Sequence, residues 1–148
     1  MKRYISCHYT TLDDASYFLN QVCGLPETAT STPLRRRYVS TCIVLSWVAV
    51  EQALRDTIGE LRKTGRLPAG TKRGLADRIE EVLNVLGHTF VPADFFRLRK
   101  VRNHLTHANR GPMPLDLSHA EESFHYCKGL IELLLSVHPH WEFKVLVF

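Results

Sequence analysis

Residues 99–110 read RKVRNHLTHANR, placing Arg99, Arg102, Asn103, His104, Thr106 and His107 within little more than two helical turns. These residue types can handle a phosphate. A guanidinium offers a planar fork of donors that matches phosphate oxygens and stays charged at every physiological pH. A histidine near neutral pKa can take a proton or return one. Asparagine can orient that histidine or donate to a phosphate oxygen. Other readings stay open. Arg102 could be a core-edge arginine that fixes helix packing, and His107 a helix-end histidine favoured by the dipole. His104 and His107, at i, i+3, could begin a metal site with His8 or His119. No further carboxylate or cysteine stands at ligand spacing, so neither metal nor other cofactor is expected.

A helix must carry these groups, and residues 92–108 supply one, opening on PADFF with Pro92 early and Asp94 in the first turn. At about 100° per residue, Phe95, Leu98, Val101, Leu105 and Ala108 share one apolar sector. Arg99, Asn103, Thr106 and His107 lie on the adjoining polar side. Arg102 falls at the core-facing edge, where an unpaired charge is costly. Glu51 flanks an apolar stripe elsewhere and also faces inward, which predicts an Arg102–Glu51 ion pair or a polar pocket shared by the two. Arg102 and His107 diverge by about 140° on an ideal helix. They converge on one substrate only if the helix loosens near Thr106 or a second subunit completes the site.

The rest of the chain reads as helices joined by short breaks at 23–33, 64–74 and 109–116, each carrying Gly and Pro. Residues 11–23 start on Thr-Leu-Asp-Asp and align Leu12, Ala15, Phe18, Leu19 and Val22. Residues 33–63 form a long helix with the stripe Ile43, Trp47, Val50, Leu54, Ile58 and Leu61. Val44, Leu45 and Val48 make it apolar nearly all round at its middle, so it belongs at the centre. Residues 74–86 form a third helix, and 118–137 a last one opening on a Ser-His-Ala-Glu capping pattern. The tail EFKVLVF looks strand-like. The expected fold is an all-α bundle of about five helices with a long central second helix.

At 148 residues, with 45% hydrophobic and 23% charged residues, the chain has globular composition and room for a real core. A formal charge of +4 permits an anionic partner without requiring one. Cys7, Cys23, Cys42 and Cys127 show no CxxC and no zinc-type spacing, which reads as free thiols in a reducing compartment. CIVLSWVAV is far shorter than the roughly 20 residues of a membrane span. No apolar run of signal-peptide length stands near the start, so a soluble cytoplasmic protein is expected. Phosphate-binding glycine loops, nucleophile elbows and HExxH are absent. The runs RRR at 35–37 and RKTGR at 62–66 read as solvated faces that could double as phosphate contacts.

The motif and its setting resemble the HEPN superfamily. Its signature is Arg, four to six residues, then His, commonly with Asn, Asp or His directly after the Arg. Arg102, Asn103 and His107 match it with the four-residue gap, and the helix order agrees, with an inward Glu51 on a long central helix. The resemblance spans most of residues 11–137 and implies one HEPN-like domain over 1–148. It further implies a metal-independent endoribonuclease, commonly a toxin or defence effector, working on RNA as a homodimer. Arg102, His107 and Asn103 would be catalytic, with Glu51, His104, Arg99 and Thr106 in support. An antitoxin or regulatory protein would be a further partner. Many toxin–antitoxin members carry a Tyr two positions after the His, where Asn109 stands here. Other members have lost catalysis, so the alternative is a helical module that binds a protein partner. A basic nucleic-acid binder without chemistry is a third expectation.

Overall fold

A computed structural model describes residues 7–28, 31–67, 74–106 and 115–137, with side chains from residue 10 onward. These residues form five helices and no strand: α1 (Cys7–Gly24), α2 (Thr32–Lys63), α3 (Leu75–Val85), α4 (Pro92–Thr106) and α5 (Leu117–Leu135). The strand-like tail and the stretch from His107 to Pro114 lie outside the described residues. None of the described helices is long and apolar enough to cross a membrane.

At 32 residues α2 runs about 48 Å and touches all four other helices, with α1 and α5 as its most extensive neighbours. The apolar girdle explains this. Ile43, Trp47, Val50, Leu54, Ile58 and Leu61 are all buried, and Val39, Cys42, Ala49 and Ala53 join them. Leu12, Ala15 and Val22 close the core from α1, Ile79, Val82 and Leu83 from α3, and Phe124, Cys127, Ile131 and Leu134 from α5. α4 contributes least, with only Phe95 and Leu98 buried. Burial pushes the Cys42 thiol up to about 12 against the opposing Ser46 hydrogen bond, and raises that of Cys127 as well.

Helix ends depart from the sequence expectation in two places. α1 begins at Cys7, not Thr11. The Thr11 hydroxyl, expected near a helix start, instead donates to Gln52 Oε1 at 2.9 Å and ties α1 to α2. α5 is capped by Asp116 rather than Ser118. Asp116 Oδ1 accepts from the His119 backbone N–H at 3.4 Å, and His119 Nδ1 accepts from the Asp116 backbone N–H at 3.2 Å. This is a capping box with a histidine ring in the place usually taken by Glu. After α2 and α3, Gly65 (φ 70°) and Gly87 (φ 81°) turn left-handed. They let the N–H groups of Arg66 and His88 return to the carbonyls of Leu61 and Leu83.

The Asp116 carboxyl is held below its ordinary 3.8, first by the Ser118 hydroxyl and then by His119. A depressed carboxylate stabilises the fold above its unfolded pKa, and that contribution is lost as pH falls through the lower folded value. Loss of the cap in Asp116→Ala should cost about 1 kcal/mol at neutral pH. The gap to the unsubstituted chain should narrow below pH 3.8 in paired denaturant titrations. A constant gap across that range would show that the cap is not the source.

Candidate functional site

Arg99 and Arg102 leave α4 near its end and meet Glu51 on α2, and Asn103 and Thr106 beside them contact Arg102. Their distances separate the two arginines. Arg99 Nη2 donates to Glu51 Oε1 at 3.1 Å, and its guanidinium carbon lies 5.2 Å from the centre of the fully buried Trp47 ring. Trp47 in turn packs edge-on against Phe95 at 5.4 Å, so the arginine is stacked on the core itself. Arg102 Nη2 is 3.8 Å from the same carboxylate oxygen, within ion-pair reach but too long for a hydrogen bond. Its Nη1 instead donates to Asn103 Oδ1 at 3.1 Å and approaches the Thr106 hydroxyl at 3.5 Å.

The predicted Arg102–Glu51 pairing is thus present as the longer arm of a three-residue cluster. Arg99, placed on the polar side by the helical wheel, takes the shorter arm. A long side chain explains the difference. Its stem can lie along an apolar surface while the head reaches a partner that the Cα direction alone would not suggest. Burial lowers the Arg99 pKa, as does the Arg102 charge beside it, while Glu51 opposes both. A guanidinium starts so high that it stays charged. Arg99 Nη1 and Arg102 Nε are buried and find no hydrogen-bond partner among the described residues. Both arginines therefore keep donor capacity after Glu51 is answered.

Asn103 is half-buried, and its side-chain oxygen is engaged by Arg102. The Thr106 hydroxyl donates back to the carbonyls of Arg102 and Asn103 at 3.4 and 3.3 Å, a long bifurcated contact that turns it toward the Arg102 head. His104 is half-buried on the same helix. His107 and the tail histidines lie outside the described residues, and His8, in α1, is described in its backbone alone. Of the predicted metal partners, His119 serves the α5 cap. Among the described residues no three His, Cys, Asp or Glu side chains gather to hold a metal ion.

The basic runs divide. Arg35 is used locally, donating through Nη1 to the carbonyls of Val22 and Leu25 at 3.1 and 2.9 Å, where α1 runs out of partners. From the second run Arg62 lines a groove with Arg55 and Arg78, a grouping across two helices that the run itself did not signal.

If the cluster is built as its distances indicate, Glu51 is coupled more strongly to Arg99 than to Arg102. Double-mutant cycles with Glu51→Gln should give about 1 kcal/mol for the Arg99→Gln pair and less than half that for Arg102→Gln. Equal couplings would mean that the two guanidiniums share the carboxylate evenly.

Comparison of the chain with family models, with curated proteins and with solved structures gives no match.

Proposed function

We propose that this chain is a metal-independent endoribonuclease of HEPN type, a toxin or defence effector that cuts RNA as a homodimer. The observation that carries the reading is the state of Arg102. Its side chain is largely buried yet only loosely held by Glu51, with Asn103 and Thr106 shaping its head and Nε left without a partner. A guanidinium kept positioned but unspent suits a phosphate whose charge grows in the transition state.

RNA brings its own nucleophile. The 2′-oxygen attacks the adjacent phosphorus, a base removes its proton, and the bond to the 5′-oxygen breaks as an acid protonates that leaving oxygen. The products are a 2′,3′-cyclic phosphate and a free 5′-hydroxyl. His107 is the acid–base residue in this scheme, and in a dimer the two copies can divide the roles. Asn103 orients the reacting groups, and His104 is a second proton carrier or an RNA contact. Glu51 and Arg99 are positioning residues. They fix the helix that carries Arg102. Neither step requires a metal, and DNA, lacking the 2′-hydroxyl, is not a substrate.

A second reading has its own support. Phe96 and Val91 stand 57% and 56% exposed. Between the α3–α4 connection and α5 lies a hollow of about 520 Å³ with Phe90, Val91, Tyr126, Leu130 and Leu133 in its walls. A non-catalytic module that binds an antitoxin or a larger assembly would use such a surface.

Cleavage of a mixed tRNA and mRNA pool in EDTA decides between them. The unsubstituted chain should cut RNA, leave cyclic phosphate ends and spare DNA. Arg102→Ala and His107→Ala should each lose about 100-fold or more in rate. Equal inertness of all three folded proteins, or strict dependence on added Zn²⁺, would overturn the proposal.

A further inference from the structure

Beside Glu51 a groove of about 390 Å³ runs between α2 and α3, lined among others by Arg55, Ile58, Gly59, Arg62 and Arg78. We propose that this groove seats a chain of phosphates. The inference stands beside the ribonuclease reading rather than on it, because it uses none of the α4 chemistry.

Charge is the first argument. Three guanidiniums face one hollow against a single carboxylate, Glu51, which Arg99 and Arg102 already answer. Arg55 and Arg62 have no ion-pair or hydrogen-bond partner among the described residues, and Arg78 spends only its Nε, on the Gly74 carbonyl at 3.4 Å. Like charges collected on one face oppose helix packing unless an anion sits among them. The two α2 arginines are seven residues apart, hence on one face two turns along, and Arg78 comes from the facing helix. That spacing suits successive phosphates rather than a single small ion.

Gly59 is the second argument. Glycine inside a helix weakens it relative to alanine, so a glycine there needs a reason. Packing does not supply one, since a Cβ at Gly59 would meet nothing within 4 Å. Its missing side chain leaves the groove wall open between Arg55 and Arg62. Leu54, Ile58 and Leu75 give the hollow an apolar lining, which suits a ribose or a linker between charged groups.

A phosphate chain can be the backbone of a single-stranded nucleic acid or a free polyphosphate, and two probes separate these sources. On full-length His107→Ala protein, so that no probe is consumed, binding of a fluorescein-labelled 12-nucleotide RNA is followed by anisotropy and binding of inorganic tripolyphosphate by calorimetry. The Arg55→Gln/Arg62→Gln/Arg78→Gln variant should weaken binding about tenfold or more and reduce the salt slope by about two. Gly59→Leu, which fills the groove without changing charge, should weaken it as well. Lys63→Gln, removing one positive charge just outside the groove, should stay within about twofold. Groove-dependent binding of RNA alone assigns a nucleic-acid strand, and groove-dependent binding of tripolyphosphate assigns a free polyphosphate. The proposal is overturned if the triple variant, folded by circular dichroism, binds like its parent, or if the parent binds neither probe at low salt. Loss of cleavage in the unsubstituted chain with groove binding intact would sink only the ribonuclease reading.

Discussion

A carboxylate set into the waist of the longest helix governs how the other elements meet. Glu51 lies half-buried between the buried Trp47 and Leu54 on α2. Such a charge must be answered, and α4 answers it with Arg99 at 3.1 Å and Arg102 at 3.8 Å. The contact does more than neutralise. Because Arg99 also lies over Trp47, the polar pair and the aromatic core fix the same helix at the same place. α4 buries few side chains of its own, so this junction carries much of its attachment to α2.

The two arginines of one motif take different parts. Arg99 is committed to structure, pinned by a hydrogen bond on one side and an aromatic face on the other. Arg102 is held through neutral partners, Asn103 and Thr106, and leaves its Nε without a hydrogen-bond partner among the described residues. An arginine that must meet a phosphate needs orientation without full charge compensation. Asn and Thr orient a guanidinium without adding a second negative charge. Glu51 then serves as a common anchor, near enough to set the direction of Arg102 and too far to form a direct hydrogen bond with it.

Much of the fold was readable because long apolar stripes at helical spacing leave few alternatives. The α2 stripe from Ile43 to Leu61 and the inward faces of α3 and α5 lie where the periodicity puts them. Helix ends were harder, since capping signals are short and ambiguous. Thr11 resembles a cap but bonds across to Gln52, and Ser118 yields to Asp116, whose partner His119 is not a customary capping residue. Within the site, the wheel brought Arg102 and Glu51 together from residue types and facing alone. It misplaced Arg99, because a wheel records Cα directions and ignores the reach of a long side chain. The grouping of Arg55, Arg62 and Arg78 left no mark in the sequence, as it exists only once α2 and α3 are packed.

Far from this junction, the buried Thr57 hydroxyl lies 3.2 Å from the Leu134 carbonyl in the last turn of α5, while also bonding the Ala53 carbonyl of its own helix. Sliding α5 along α2 by one turn would shift it 5.4 Å and break that contact. The hydroxyl thus marks the register at which α2 and α5 meet. α4, with only Phe95 and Leu98 fully inserted, has no comparable lock beyond its arginines. Any displacement of α4 from α2 would have to part Arg99 and Arg102 from Glu51.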